Sequence, residues 1–144
     1  MRRALPSLQA QLPVAFDLWS SPALRCQQLA AQLSPTSQTH PWLQELDFGA
    51  WEGMRWDDIP RANLDAWATD IWHYRPGGGE SAADVRARWQ QFLQLPGLRA
   101  STKPQVIITH AGVIRMALSE VGLIPPQERW QARIDYMTPY QIDD

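Results

Sequence analysis

The run Gln105-Val106-Ile107-Ile108-Thr109 constrains the fold of this chain more than any other segment. Its residues are mostly apolar and β-branched, and they do not alternate with polar ones, which is typical of a strand covered on both faces. His110-Ala111-Gly112 follows directly, and a helical pattern then extends from Val113 to Val121. Strands covered on both faces belong to parallel sheets flanked by helices, so this segment predicts an α/β fold.

The rest of the chain repeats the alternation of strand and helix. A second buried strand is predicted at Phe16–Ser20, followed by a helix that begins near Pro22. Ser81 and Asp84 have capping-box spacing and open a helix that reaches Leu93. Further predicted elements are a helix over Ala4–Leu12, an extended segment over Ser37–Leu43, a helix over Trp56–Tyr74 broken at Pro60, a helical turn after Pro125-Pro126, and strands near Gln131–Asp135 and Pro139–Ile142. The 144 residues therefore predict a single domain, a three-layer sandwich with a largely parallel sheet and helices on both faces.

Composition removes several classes of function. The net charge of −2 argues against a general nucleic-acid binder. No apolar run approaches the roughly 20 residues that span a bilayer, and the polar residues after Met1 do not form a signal peptide, so we expect a cytoplasmic protein that binds no membrane. Cys26 is the only cysteine, which excludes an internal disulfide and a thiolate zinc cluster. The three histidines have no paired spacing, so no metal site is expected.

Three candidate functional residues stand at strand ends or in a glycine-rich stretch, where parallel sheets gather their reactive side chains. Arg25 lies one turn into a predicted helix, where its planar fork either binds two phosphate oxygens or forms a surface ion pair. His110 follows the buried strand and either faces the site or caps the next helix. Glu45 lies among apolar residues and is either a proton donor or a solvated carboxylate.

Four motifs occur in the order seen in the histidine phosphatase (phosphoglycerate mutase-like) superfamily. They are Ser21-Pro22-Ala23-Leu24-Arg25, the stretch from Glu45 to Gly53, Gly79-Glu80-Ser81, and the stretch from Thr109 to Arg115. The chain resembles that superfamily over nearly its whole length. The resemblance implies a phosphoglycerate mutase-like fold and hydrolysis of phosphate monoesters through a phosphohistidine, without a metal or another cofactor.

The resemblance also implies a role for each motif. Arg25 and His110 would bind the phosphoryl group and stabilise its charge, and Glu45 would act as general acid and then as general base. The Ser21 side chain and the backbone N–H of Ala111 are expected to contact the phosphate. Glu80 is expected to orient an arginine or to cap the following helix rather than to perform chemistry.

One departure from the superfamily concerns the nucleophile. Its members begin with a strand that ends in Arg-His-Gly, whose histidine becomes phosphorylated, and this sequence contains no Arg-His pair. We expect the corresponding strand to be missing from between the strands at Phe16–Ser20 and Gln105–Thr109, leaving an N-terminally incomplete domain. Unpaired backbone groups are costly, so the chain is expected to be poorly soluble or to form a homodimer that covers the gap.

The resemblance extends to a subfamily and to its substrate. The stretches Ala66–Trp72 and Trp130–Asp135 are similar to stretches of α-ribazole phosphatases, which implies dephosphorylation of α-ribazole 5′-phosphate in cobalamin synthesis. The segment Trp51–Tyr74 is predicted to form a lid and contains Trp51, Trp56, Trp67 and Trp72. One or two of these are expected to stack on the substrate's benzimidazole, with Trp51, Trp56 and Trp72 as the candidates. Core packing is the alternative for each of them. Two other functions stay open: an inactive relative that binds phosphorylated ligands, and a broad-specificity phosphatase or phosphoglycerate mutase-like enzyme.

Overall fold

A computed structural model describes residues 4–142 and shows an α/β fold. Three parallel strands, β1 (Asp17–Ser20), β2 (Gln38–Thr39) and β3 (Gln105–Ile108), form one sheet in the order β2-β1-β3. The α-helices are α1 (Leu5–Gln11), α2 (Leu24–Leu33), α3 (Arg61–Thr69), α4 (Ala82–Leu93), α5 (Pro96–Arg99) and α6 (Ala111–Glu120). Short 3-10 turns occur at Pro41–Leu43, Gly49–Trp51, Trp56–Asp58, Pro76–Gly78 and Pro126–Glu128.

The two longest strands are direct neighbours in the sheet. β1 and β3 pair in register from Asp17 opposite Gln105 to Ser20 opposite Ile108, and the Ser21 N–H continues the ladder by donating to the Ile108 carbonyl at 2.9 Å. There is therefore no open gap between them within residues 4–142, because their backbone groups bond to each other. Within residues 4–142, β3 lies at one edge of the sheet.

The main core lies on the face of the sheet to which Trp19 of β1 points. Trp19 packs there with buried side chains of α4, α6 and the first 3-10 turn, namely Leu43, Val85, Trp89, Phe92, Val113 and Ala117. Leu18 is buried as well, and the two-residue period of a strand directs it to the opposite face. The four residues of β3 are each only half-buried, so the full coverage expected of this strand is not found.

Local signals in the sequence are visible at several element ends. The predicted capping box is confirmed, since the Asp84 N–H donates to Ser81 Oγ at 3.2 Å and the Ser81 N–H to Asp84 Oδ2 at 2.9 Å. The helical turn expected after Pro125 is also confirmed, at Pro126–Glu128. Pro60 separates a 3-10 turn from α3, as predicted, but α3 ends at Thr69, before Tyr74.

The two strands predicted near the C-terminus do not form. The chain instead turns back at Met137, whose φ of 56° is left-handed, and the Asp135 N–H donates to the Tyr140 hydroxyl at 2.8 Å. A side-chain acceptor here occupies a backbone donor that a strand would use. None of the helices within residues 4–142 has the length and apolarity needed to cross a membrane.

Candidate active site

The carboxyl ends of β1 and β3 bring two of the predicted residues into contact. Ser21 follows β1 and is fully buried, and Arg25 lies in the first turn of α2. His110 follows β3 as the N-cap residue of α6 and is 8% exposed. Because β1 and β3 are adjacent and parallel, the residues after them meet at the same edge of the sheet.

Both ring nitrogens of His110 have partners. Nε2 lies 2.8 Å from Ser21 Oγ, and Nδ1 lies 3.0 Å from Arg25 Nη2. A guanidinium only donates hydrogen bonds, so Nδ1 must accept, and the ring is neutral with its proton on Nε2. His110 therefore donates to Ser21, and this arrangement does not activate Ser21 as a nucleophile.

The surroundings of His110 favour its neutral form. Burial lowers the pKa of His110, and the charges of Arg25 and Arg88 lower it further, whereas the Glu45 charge raises it. Cys26 lies close by, with its Sγ 3.9 Å from His110 Nε2, and burial raises the pKa of this thiol. The group beside the histidine is thus a neutral thiol rather than a thiolate.

The Glu45 carboxylate sits against the N-terminus of α6. Its Oε2 accepts from the Gly112 N–H and its Oε1 from the Leu46 N–H, both at 3.0 Å. A Cβ at Gly112 would overlap Oε1, so the absence of a side chain at this position makes room for the acid. The site thus collects Ser21, Arg25, Glu45 and His110 from separate stretches of chain, and the Ala111 N–H lies in the same first helical turn.

The three tryptophans predicted to bind substrate fall into two groups. Trp51 and Trp56 both contact Trp67, with ring centroids 5.8 and 6.0 Å away, and Trp56 stacks on it at an interplanar angle of 15° while staying 58% exposed. Phe48, three residues after Glu45, meets the edges of this group. Trp72 belongs elsewhere and packs on three side chains, Arg86, Arg129 and Trp130.

Arg88 is a residue at the site that the sequence motifs did not reveal. It forms a two-pronged pair with Glu80, Nε to Oε2 at 2.9 Å and Nη2 to Oε1 at 3.1 Å, and its Nη1 donates to the Trp42 carbonyl. Glu80 therefore orients an arginine, as predicted. The available signal was the eight-residue spacing from Glu80, which places Arg88 on the side of α4 that faces inward.

The other two histidines have local partners. His40 accepts from the Trp42 N–H through Nδ1 at 3.1 Å and packs on Trp42 and Phe92. His73 is exposed and lies 3.3 Å from Asp70. Among residues 4–142 there is no cluster of three or more histidine, cysteine or acidic side chains that could hold a metal ion.

Comparison with known proteins places this chain in a family. The profile of the histidine phosphatase superfamily (branch 1) matches residues 1–143. The chain belongs to the histidine phosphatase superfamily. Among solved structures it is similar to the α-ribazole phosphatase of Shigella flexneri, with a TM-score of 0.75 and 26% identity over 94% of this chain and 71% of that one. A phosphoglycerate mutase of Thermus thermophilus is 29% identical, with a TM-score of 0.64 over 83% of this chain and 66% of that one.

Curated relatives include two kinds of phosphatase. A 6-phosphofructo-2-kinase/fructose-2,6-bisphosphatase of Caenorhabditis elegans is 34% identical over 71% of this chain and 23% of its own length. An adenosylcobalamin/α-ribazole phosphatase of Salmonella typhimurium is 24% identical over 66% of this chain and 48% of its own length. The chain thus spans between about a quarter and a half of these relatives.

Proposed function

We propose that Arg25, Glu45 and His110 form the phosphate-binding and proton-transfer part of a cytoplasmic phosphomonoesterase that works through a phosphohistidine. The supporting observation is that a guanidinium, an imidazole and a carboxylate from three distant segments meet at one edge of the sheet, with Arg25 3.0 Å from His110 and Glu45 on the Gly112 N–H. Such a set serves phosphoryl transfer, because cations neutralise the phosphoryl oxygens while an acid protonates the leaving oxygen.

Each residue has a defined part in this proposal. When phosphate binds, the Arg25 guanidinium releases His110 Nδ1 and donates instead to phosphate oxygens. Its planar shape allows it to bind two of these oxygens at once. His110 then binds and stabilises the phosphoryl group through its Nε2–H. Glu45 enters the reaction protonated and gives its proton to the leaving oxygen. The resulting carboxylate takes a proton back from the water that hydrolyses the phosphohistidine.

The attacking imidazole is proposed to come from sequence outside these 144 residues. None of the three histidines follows an arginine, and His40 is engaged in the turn at Pro41–Leu43. Reading the DNA upstream of the Met1 codon tests this point. An in-frame Arg-His-Gly after an apolar segment supports it, and its absence favours a relative that binds phosphorylated ligands without turnover.

We propose α-ribazole 5′-phosphate as the substrate. The names of similar proteins support this choice, and so does Trp56, which is braced by Trp67 on one face and is 58% exposed. A flat benzimidazole can stack on such a ring, whereas a sugar phosphate offers no aromatic face. The relationship to fructose-2,6-bisphosphatase makes a phosphorylated sugar the second candidate.

Two measurements test the activity and the substrate. In the protein extended by the upstream sequence that carries Arg-His-Gly, turnover of phosphorylated α-ribazole that is unaffected by EDTA and abolished by His110→Ala supports the enzyme. Binding without turnover by that extended protein supports the inactive relative. Trp56→Leu is expected to raise KM for phosphorylated α-ribazole and to leave a small phosphate ester unchanged. Trp72→Leu, in the separate group beside Arg86 and Arg129, is measured in parallel. An equal loss on both substrates assigns the changed tryptophan to packing.

A further inference from the structure

The Arg88 side chain joins α4 to Glu80, just before the helix, and to Trp42, which is 46 residues away in sequence. It extends from α4, is 12% exposed, and uses all three of its nitrogens. Two nitrogens bind the two oxygens of Glu80, and the third donates to the Trp42 carbonyl, three residues before Glu45. Arg88 therefore fixes the beginning of the segment that carries the acid.

Glu80 fixes the end of the same segment. Its Oε1 accepts from the Asp47 N–H at 3.0 Å, and its own N–H donates to the Asp47 carbonyl at 2.7 Å. The glycine-rich turn at Pro76–Gly78 packs backbone against backbone beside this contact, since a Cβ at Gly77 would overlap the Phe48 carbonyl. The segment after Glu45 is thus held on the same carboxylate that Arg88 binds.

The Glu45 carboxylate lies between these two attachments. A third contact comes from the residue after β3, where Thr109 Oγ1 donates to the Leu43 carbonyl at 2.6 Å. None of these bonds involves Glu45 itself. Together they place the backbone from Trp42 to Asp47 so that the Glu45 carboxylate reaches inward and accepts from the Gly112 N–H.

We propose that Glu80 and Arg88 are positioning residues that set the place of the Glu45 carboxylate beside His110. Their value for catalysis rests on the role proposed for Glu45 above. A guanidinium is required at position 88, because a lysine keeps the charge but cannot bond both carboxylate oxygens and the carbonyl in fixed directions.

The Gly112 amide reports where Glu45 lies. It stands in the first turn of α6, where an N–H has no partner within the helix, so Glu45 is what protects it from exchange. In the 15N-labelled chain, Arg88→Lys and Glu80→Gln are each expected to speed hydrogen exchange at Gly112 by about 10- to 100-fold, as for a lost bond to a charged acceptor. The Ile114 amide, which donates to the His110 carbonyl at 2.9 Å, is expected to keep its rate.

Two further variants calibrate the measurement. Glu45→Ala gives the exchange rate of the fully released Gly112 amide. Arg86→Lys is the matched control, because Arg86 lies on the same helix and pairs with Glu120 at 2.6 Å instead of Glu80. Unchanged Gly112 exchange in both Arg88→Lys and Glu80→Gln overturns the proposal, and so does an equal rise at Ile114, which indicates general loosening of α6.

A separate titration of the unaltered chain with inorganic phosphate distinguishes failure of this proposal from failure of the proposed function. Movement of the His110 ring signals supports phosphate binding whatever Gly112 does. His110 ring signals that do not move with phosphate count against the phosphatase role. The positioning proposal is then judged by the Gly112 exchange rates alone.

Discussion

Gly112 and Glu45 show how a residue without a side chain fixes the place of a charged one. The backbone at Gly112 is ordinary helix, so alanine is tolerated by the helix itself, but its Cβ would overlap Glu45 Oε1. We expect Gly112→Ala to push the carboxylate away from His110 while α6 stays folded. Because the Glu45 charge raises the pKa of His110, its removal is expected to lower that pKa further.

NMR titration of the His110 ring measures this shift. Gly97→Ala is the control, since a Cβ there would meet only Trp19 at an ordinary distance of 3.9 Å. A His110 titration curve unchanged by Gly112→Ala would mean that Glu45 keeps its place without the space at Gly112.

The lowered pKa of His110 leads us to expect that the stability of the fold depends on pH. Its pKa in the folded chain is below the ordinary value of about 6.5, chiefly because it is buried, so the unfolded chain binds more protons as the pH falls through this range. The stabilisation is present above about pH 6.5 and is lost as the pH falls through the folded-state pKa of His110.

We expect His110→Gln to flatten this dependence, because glutamine does not titrate. Urea denaturation of both proteins between neutral and mildly acidic pH measures it. Burial also lowers the pKa of His40, so a smaller acid-dependent loss is expected to persist in the variant. An equally steep loss in both proteins would contradict the assignment to His110.

At the level of single residues, the sequence motifs pointed to the candidate site residues but not to Arg88, whose contacts depend on how the helices pack. Arg25, Glu45 and His110 follow from strand ends and a glycine-rich stretch. Arg88 acquires its importance only when α4 packs against the turn at Pro41–Leu43, because the Trp42 carbonyl that it binds is 46 positions away. Local spacing carries no information about that carbonyl.

Among the elements, α4 has the best-defined start. Ser81 accepts from the Asp84 N–H and is buried, so Ser81→Ala removes one cap bond and leaves a helix donor unsatisfied. We expect a loss of about 1 kcal/mol in the free energy of unfolding. Chemical denaturation measures it, with Ser7→Ala on the exposed side of α1 as the control. A loss no larger than that of the control would indicate that solvent replaces the cap.

The sequence located helices and strands well where neighbouring residues determine them, and poorly where distant parts of the chain do. The capping box and Pro60 act within a few residues, and both mark element boundaries in the structure. The predicted C-terminal strands failed because a strand needs a partner, and Asp135 bonds instead to a side chain five residues on. The apolar run in β3 predicted a strand correctly but overestimated how much of it is covered.

For the molecule as a whole, the edge position of β3 predicts self-association. Val106, Ile107 and Ile108 are half-buried on a strand that pairs only with β1 in the described part of the chain. An apolar edge strand is a template for another strand, so we propose that two copies associate as a homodimer through β3. Sedimentation velocity over a range of concentrations is expected to show this association.

Val106→Lys is expected to weaken the association, because an edge lysine opposes strand pairing. Val14→Lys makes the same change at a fully exposed position and serves as the control. A monomer at every concentration would count against association through this edge. Strand order itself was beyond the sequence, because apolar runs do not specify which strand lies next to which.

The Pro76–Gly78 turn packs against the segment after Glu45 so closely that substitutions at this contact are not tolerated, whereas substitutions at exposed positions nearby are. No side chain fits at Gly77 without separating two backbone segments, one of which follows Glu45 in the chain. The residues from Met54 to Trp56, by contrast, are all exposed. Natural variation and laboratory selection are therefore expected to change side chains at residues 54–56 more readily than the backbone contact that holds the segment after Glu45.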